Sequence, residues 1–165
     1  LLLTGLSAAV LSVVGLRRKR MKGAPVADAK TIVRKVLEEP WKGNWDVIDE
    51  YIAPGYIGHD PSQPKPIQGI EGTKENYRQY IDAFTGAHIA VDEQIAEGDI
   101  VASRWTARGT HTGEITGIAP TGKEVTVSGI TISRLEGGKI IEEWTNWDTL
   151  GMMVQIGAVP IPATA

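Results

Sequence analysis

The hydrophobic positions of the chain change period once. Up to Phe84 they recur at helical spacing, and from Ala87 onward they alternate. Ala29, Ile32, Val33, Val36 and Leu37 share one helical face, with Asp28 placed to cap that helix and Pro40 to end it. A short second helix is predicted over 45–52, where Trp45, Ile48 and Ile52 fall on one side, Asn44 is the cap and Pro54 the stop. Tyr56-Ile57-Gly58-His59-Asp60-Pro61 reads as a short extended piece entering a proline-rich loop at 62–69. The third helix, about 71–84, puts Tyr77, Tyr80, Ile81 and Phe84 on adjacent turns, with Gly86 as its C-terminal cap.

In the second half Ile89, Val91 and Ile95 alternate, Gly98-Asp99 makes a tight hairpin turn, and 100–112 continues as a long strand of β-branched and aromatic residues. Another strand, 124–135, turns at Glu136-Gly137-Gly138 into 139–147. Turns of two or three residues join antiparallel neighbours, because a parallel pair needs a long crossover. A last short helix over 150–156 follows Asp148 and Thr149, either of which caps it, and a tail rich in proline and alanine begins at Pro160. Helices first and antiparallel strands afterwards make an α+β domain, in which amphipathic helices cover one face of a curved sheet and enclose a cavity.

Composition narrows the chemistry. With 165 residues, 22% charged and 42% hydrophobic, the chain fits one compact domain. The absence of cysteine removes thiol nucleophiles, thiolate metal sites and disulfides, so catalysis falls to His, carboxylate, hydroxyl or Lys. Five Trp and four Tyr against a single Phe carry the large apolar surfaces, a residue choice that often lines pockets.

The net charge of −3 is unevenly spread, with Arg17, Arg18, Lys19, Arg20 and Lys22 together and no acid among residues 1–22. Without those five the chain holds 20 acidic residues against 12 basic ones, which argues against a nucleic-acid partner. Residues 1–16 are almost all apolar or small, but fall short of the roughly 20 needed to span a bilayer. The segment reads either as the end of a truncated anchor holding the domain on the cytoplasmic side, or as a non-native start preceding Met21. Signal-peptide order is reversed here, since the charges follow the apolar run. The layout is thus 1–22 as apolar segment and basic cluster, 23–159 as the folded domain and 160–165 as tail; the domain itself is expected to be cytoplasmic, with a membrane partner only if residues 1–20 are a genuine anchor.

Three histidines stand apart. His59 precedes Asp60-Pro61 at the start of a loop, and imidazole titrates near neutral pH, which suits proton transfer. His111, in Gly-Thr-His-Thr-Gly, either lines a cavity or closes a hairpin, and His88 reads as a surface residue at a strand start. None has a paired metal-ligand spacing, and no metal is expected. Gly117-Ile118-Ala119-Pro120-Thr121-Gly122-Lys123 imitates part of a phosphate loop. Glu124 stands where a Ser or Thr would bind magnesium, however, and a strand follows where a helix is required.

The element order, together with Val47-Ile48-Asp49-Glu50-Tyr51-Ile52, Gly109-Thr110-His111-Thr112-Gly113, Gly117 to Lys123 and Gly138-Lys139-Ile140-Ile141-Glu142-Glu143-Trp144, resembles the SnoaL-like polyketide cyclase family. The resemblance runs from about Ala27 to Gly157 and closes with Leu150-Gly151 and Gln155-Ile156-Gly157. It implies an NTF2-like cone around an apolar pocket, a homodimer, and neither metal nor organic cofactor. It also implies intramolecular aldol chemistry with an aspartate as general acid/base; that position is Thr145 here, and a histidine of the preceding strand falls on Thr131. A hydroxyl of ordinary acidity does not replace a carboxylate as proton acceptor near neutral pH. Members with this gapped pattern are also called ester cyclases.

Strand alternation puts Ile141, Glu143, Thr145 and Trp147 on one face and Glu142, Trp144, Asn146 and Asp148 on the other. If Thr145 marks the pocket face, Glu143 shares it, and burial beside Trp147 would raise its pKa into a useful range. Glu143 and His59 are therefore the acid/base candidates, with Asp148 a third carboxylate that helix capping also explains. Thr145 and His111 are expected to orient a substrate, and Trp105, Trp147 and Tyr80 to wall the pocket. The expected function is cofactor-independent proton transfer on a small apolar or aromatic carbonyl compound, giving cyclisation, isomerisation or hydrolysis. A non-catalytic ligand-binding module on the same fold is the rival reading.

Overall fold

The computed structural model describes residues 26–160. The expectations for the N-terminal apolar segment and basic cluster, and for the tail beyond Pro160, lie outside the described residues. Helix α1 (Val26–Glu38) begins two residues before Asp28, which therefore sits in its first turn and not at its cap. A 3₁₀ turn starts at Pro40, and α2 (Asp46–Tyr51) is capped at Trp45, one residue after Asn44. The chain then extends at once into β1 (Ile52–His59), through Pro54, and continues to the two-residue β2 (Ile67–Gln68). Helix α3 (Gly69–Ala83) gives way directly to β3 (Phe84–Glu97). Gly86, with φ of 67°, belongs to an irregularity inside that strand instead of capping the helix. Strands β4 (Ile100–His111), β5 (Glu124–Glu136) and β6 (Lys139–Trp147) follow, then α4 (Thr149–Ile156). Glu124 opens β5, so the Gly117–Lys123 sequence leads into a strand and not into the helix that a phosphate loop requires. Among the described residues no helix is long and apolar enough to cross a membrane.

All six strands form one sheet in the order β2-β1-β6-β5-β4-β3. The long hairpins β3/β4, β4/β5 and β5/β6 are antiparallel as expected; β1 adds to β6 in parallel, which makes the sheet mixed. Val125, Val127, Gly129, Thr131, Ser133 and Leu135 are all buried, while the residues between them face away from the core. A register shift between Arg134 and Leu135 puts Ile141 out of step in β6. The core position goes to Ile140 in its place, and Glu143, Thr145 and Trp147 keep the inner face.

Helices α1 and α3 lie over that inner face. Ala29, Val33, Val36 and Leu37 are the buried stripe of α1, each larger aliphatic contributing about 1.5–3 kcal/mol of burial. At the free edge of the sheet, Val91 in β3 finds its partners in α1: its N–H donates to Glu38 Oε1 at 2.9 Å and its carbonyl accepts from Arg34 Nη1 at 2.9 Å. Arg34 and Glu38 are themselves paired at 3.0 Å, so one helical turn both packs on the edge strand and satisfies it.

Candidate functional site

Between the inner face of the sheet and α3 lies a cavity of about 150 Å³. Its wall includes Leu37, Phe84, Ile89, Val125, Val127 and Met152, and its polar groups come from α3 and from every long strand of the sheet. The size is that of a cavity which holds one aromatic ring.

Glu143 is the buried carboxylate among the groups that line it. The side chain is 8% exposed, and each carboxylate oxygen is held by a hydroxyl: Ser133 Oγ donates to Oε1 at 2.5 Å and Tyr56 Oη to Oε2 at 2.8 Å. Burial pushes the Glu143 carboxyl above the usual carboxylate range, against the opposing pull of the bonds from Ser133 and Tyr56. The Tyr56 phenol is raised in turn, chiefly by burial and then by the Glu143 charge. Register explains the convergence. Ser133 is the cross-strand partner of Glu143 in β5, and Gly58 its parallel partner in β1, two residues after Tyr56.

A second polar row lies at the next inner-face pair of β5 and β6. Trp105 Nε1 donates to Thr131 Oγ1 at 3.0 Å, and Thr131 Oγ1 stands 3.0 Å from Thr145 Oγ1. Trp105 is in β4 opposite Gly129, and its indole lies so close over that glycine that a β-carbon there would stand 2.3 Å from the ring. Gly129 is what lets the indole reach diagonally to Thr131.

Trp147 and Tyr80 both border the cavity, and their rings meet edge to face at 5.8 Å. Trp147 Nε1 donates to Asp60 Oδ2 at 3.2 Å, and the other Asp60 oxygen accepts from the Ser62 N–H at 2.8 Å. Gln63 Nε2 donates to the Tyr80 hydroxyl at 3.2 Å, so the proline-rich loop is tied to the aromatic pair at two points.

The structure therefore brings Glu143, Thr145, Trp105, Trp147 and Tyr80 to one cavity. It separates the other candidates from the carboxylate. His59 borders the cavity, but its ring turns to the Glu142 and Trp144 side of β6, 3.0 Å from Glu142 Oε1 and stacked on Trp144 at 5.5 Å, and Glu142 also accepts from Arg134 at 2.7 Å. Asp148 caps α4, its Oδ1 accepting from the Gly151 N–H at 2.7 Å, and does not line the cavity. His111 is fully buried behind Phe84, 5.2 Å from that ring, with Nδ1 3.0 Å from Thr121 Oγ1; it too is absent from the lining. Among the described residues no three His, Asp or Glu side chains converge as a metal site would require.

Tyr56, Ser133 and Asp60 are functional neighbours that the sequence reading passes over. Ser133 was within reach of the pattern, since counting back from the Gly137-Gly138 turn places it near Glu143. Tyr56 and Asp60 depend on the parallel pairing of β1 with β6, for which no local signal exists.

Comparison with known proteins follows the same outline. TsrD from Streptomyces laurentii superposes with a TM-score of 0.74 at 27% identity, over 82% of this chain and 99% of its own. A candidate SnoaL-like polyketide cyclase from Jannaschia sp. CCS1 gives 0.74 at 26%, over 85% and 99%. IdmH from Streptomyces antibioticus, a candidate polyketide cyclase, gives 0.67 at 28%, over 81% and 99%. The shared fold is the NTF2-like α+β cone. No curated protein sequence matches the chain significantly. The SnoaL-like polyketide cyclase model matches residues 31–156, from within α1 to the last residue of α4, and so takes in the helices and strands that wall the cavity: the chain belongs to the SnoaL-like polyketide cyclase family.

Proposed function

We propose that this protein is a cofactor-independent enzyme that moves a proton on a small apolar or aromatic carbonyl compound, with Glu143 as the general acid/base. The observation that carries the reading is the Glu143 carboxylate itself, buried where it lines the cavity, held on both oxygens by Tyr56 and Ser133, and raised in pKa by burial. A carboxyl so placed takes or gives a proton nearer neutral pH than an exposed one does. The apolar part of the wall, which includes the edge-to-face pair Trp147 and Tyr80, suits an uncharged ring. Cyclisation, isomerisation and hydrolysis all draw on such a group, and IdmH, described as a candidate polyketide cyclase, is in keeping with the first.

The test is solvent deuterium uptake at the carbon next to the carbonyl, with a panel of small aromatic ketones. Uptake that disappears in Glu143→Gln supports the reading. Tight binding with no uptake favours instead a ligand-binding module, for which the specific observation is a threonine at 145, where the cyclases it resembles carry an aspartate. A homodimer is part of the same proposal, supported by Ile57, Ile130 and Ile132 lying exposed on the outer face of the sheet; a monomer mass by sedimentation would remove it.

A further inference from the structure

We infer that Thr145 is a hydrogen-bond donor to the oxygen of a bound carbonyl group, its proton aimed into the cavity by Trp105 acting through Thr131. The inference rests on Glu143 as the proton-transferring group and adds the residue that meets the charge this transfer displaces.

The direction of the chain follows from what each group is able to do. An indole N–H donates and accepts nothing, so the bond from Trp105 Nε1 to Thr131 Oγ1 has one polarity. Thr131 is 1% exposed, and its hydroxyl still carries a proton that burial obliges it to place. Thr145 Oγ1, at 3.0 Å, is the acceptor for it. Thr131 also borders the cavity, so the reverse polarity leaves its proton with no partner in the protein and dependent on what fills the cavity, the costlier arrangement for a donor that is 1% exposed. With Thr131 donating, the Thr145 proton is free of the row, and Thr145 borders the cavity.

The partner for that proton is set by position. Ser133–Glu143 and Thr131–Thr145 are successive inner-face pairs of β5 and β6, and two residues along a strand span about 6.5 Å. A ligand lying along β6 therefore meets a carboxylate at one end and a directed hydroxyl at the other. When Glu143 takes a proton from the carbon next to a carbonyl, the C–H electron pair forms the carbon–carbon double bond. The carbonyl π pair then moves onto oxygen, where the Thr145 O–H meets the growing negative charge. Once the proton on Glu143 has exchanged with solvent, return of a proton from Glu143 to carbon reverses the electron flow; the net change is one C–H hydrogen replaced by a solvent hydrogen, with nothing else consumed. Thr145 touches the reacting oxygen; Trp105 and Thr131 are positioning residues, and Gly129 makes room for the indole that orients them.

The probe is acetophenone carrying ¹³C at the carbonyl, added to the full chain, with two readouts: the carbonyl stretching band of the bound ketone, and deuterium uptake at its methyl carbon. In the wild type the band is expected below its position in an apolar solvent. Thr145→Val should return it to that position and lower kcat for uptake about 10²–10³-fold, while ketone affinity changes by less than about tenfold. Thr145→Ser should keep both close to wild type, and Thr131→Val should lose part of the band shift, because the Thr145 proton then loses its imposed direction. A band that Thr145→Val does not move overturns the inference even where Glu143→Gln abolishes uptake, an outcome that leaves the proposed function standing. A band that moves as expected with no uptake in the wild type supports the donor and removes the proton transfer. Acetophenone that fails to bind the wild type counts against both.

Discussion

The phenol of Tyr56 lies against the backbone of Gly58, where an added β-carbon would stand 2.6 Å from the phenol oxygen. That close approach is how Tyr56 reaches the Glu143 carboxylate from a neighbouring strand. Gly58 does not have a positive φ, so an alanine there is acceptable to the backbone and the conflict is with the ring alone. Gly58→Ala should shift the phenol or the strand, cost about 1–3 kcal/mol in chemical denaturation, and slow deuterium uptake. Unchanged stability and uptake would show that the glycine has no part in holding the site.

Tyr56→Phe keeps the ring and deletes the donor. Glu143 then retains Ser133 on Oε1 and loses its partner on Oε2. A hydrogen bond to the charged form lowers a carboxyl pKa, so its removal should raise the already elevated Glu143 value further. The rising limb of the pH–rate profile for uptake should move to higher pH, and stability should fall by about 1–3 kcal/mol. A limb that stays in place would assign the base to another group.

The hairpins were legible because each residue on their inner face carries its own signal. In β5 Val125, Val127 and Leu135 announce the parity that Thr131 and Ser133 share, and the Gly137-Gly138 turn supplies the count across to Glu143 and Thr145. Strand β1 was legible only in part. The extended piece was read only from Tyr56, with Ile52 inside a helix and Pro54 as its stop, yet the strand starts at Ile52, which pairs with Ile140 of β6, and such pairing is a tertiary fact. His59 shows the consequence: one residue of parity puts its ring with Glu142 and Trp144 and not with Glu143. Gly58 and Gly129 look like strand weakeners in the sequence, and only the neighbouring aromatics give them a purpose.

Asp148 and His59 allow a direct check of that geometry. Asp148→Ala removes the cap of α4 and should cost about 0.5–2 kcal/mol without altering uptake, since the carboxylate serves the Gly151 N–H outside the cavity. His59→Gln should likewise leave uptake in place, because the ring it removes faces Glu142. Loss of turnover in either variant, with the fold intact, would return that residue to the acid/base machinery.

The pKa of Glu143 has a consequence for stability that does not depend on any substrate. Burial favours the neutral carboxyl in the folded chain and not in the unfolded one, so the folded-state pKa lies above the unfolded value. Between the two, the folded protein binds more protons than the unfolded chain, and stability therefore falls as pH rises through that window. Below the ordinary glutamate range the contribution is fully present; above the raised value it is gone. Glu143→Gln carries no titrating proton at this position, so the difference in unfolding free energy between wild type and variant should shrink or change sign as pH rises through the window, and be flat on either side of it. Urea denaturation of both proteins across the acidic range measures that difference. A difference that instead grows with pH would mean that Ser133 and Tyr56 outweigh burial, and that Glu143 is held as a carboxylate and not poised to exchange its proton.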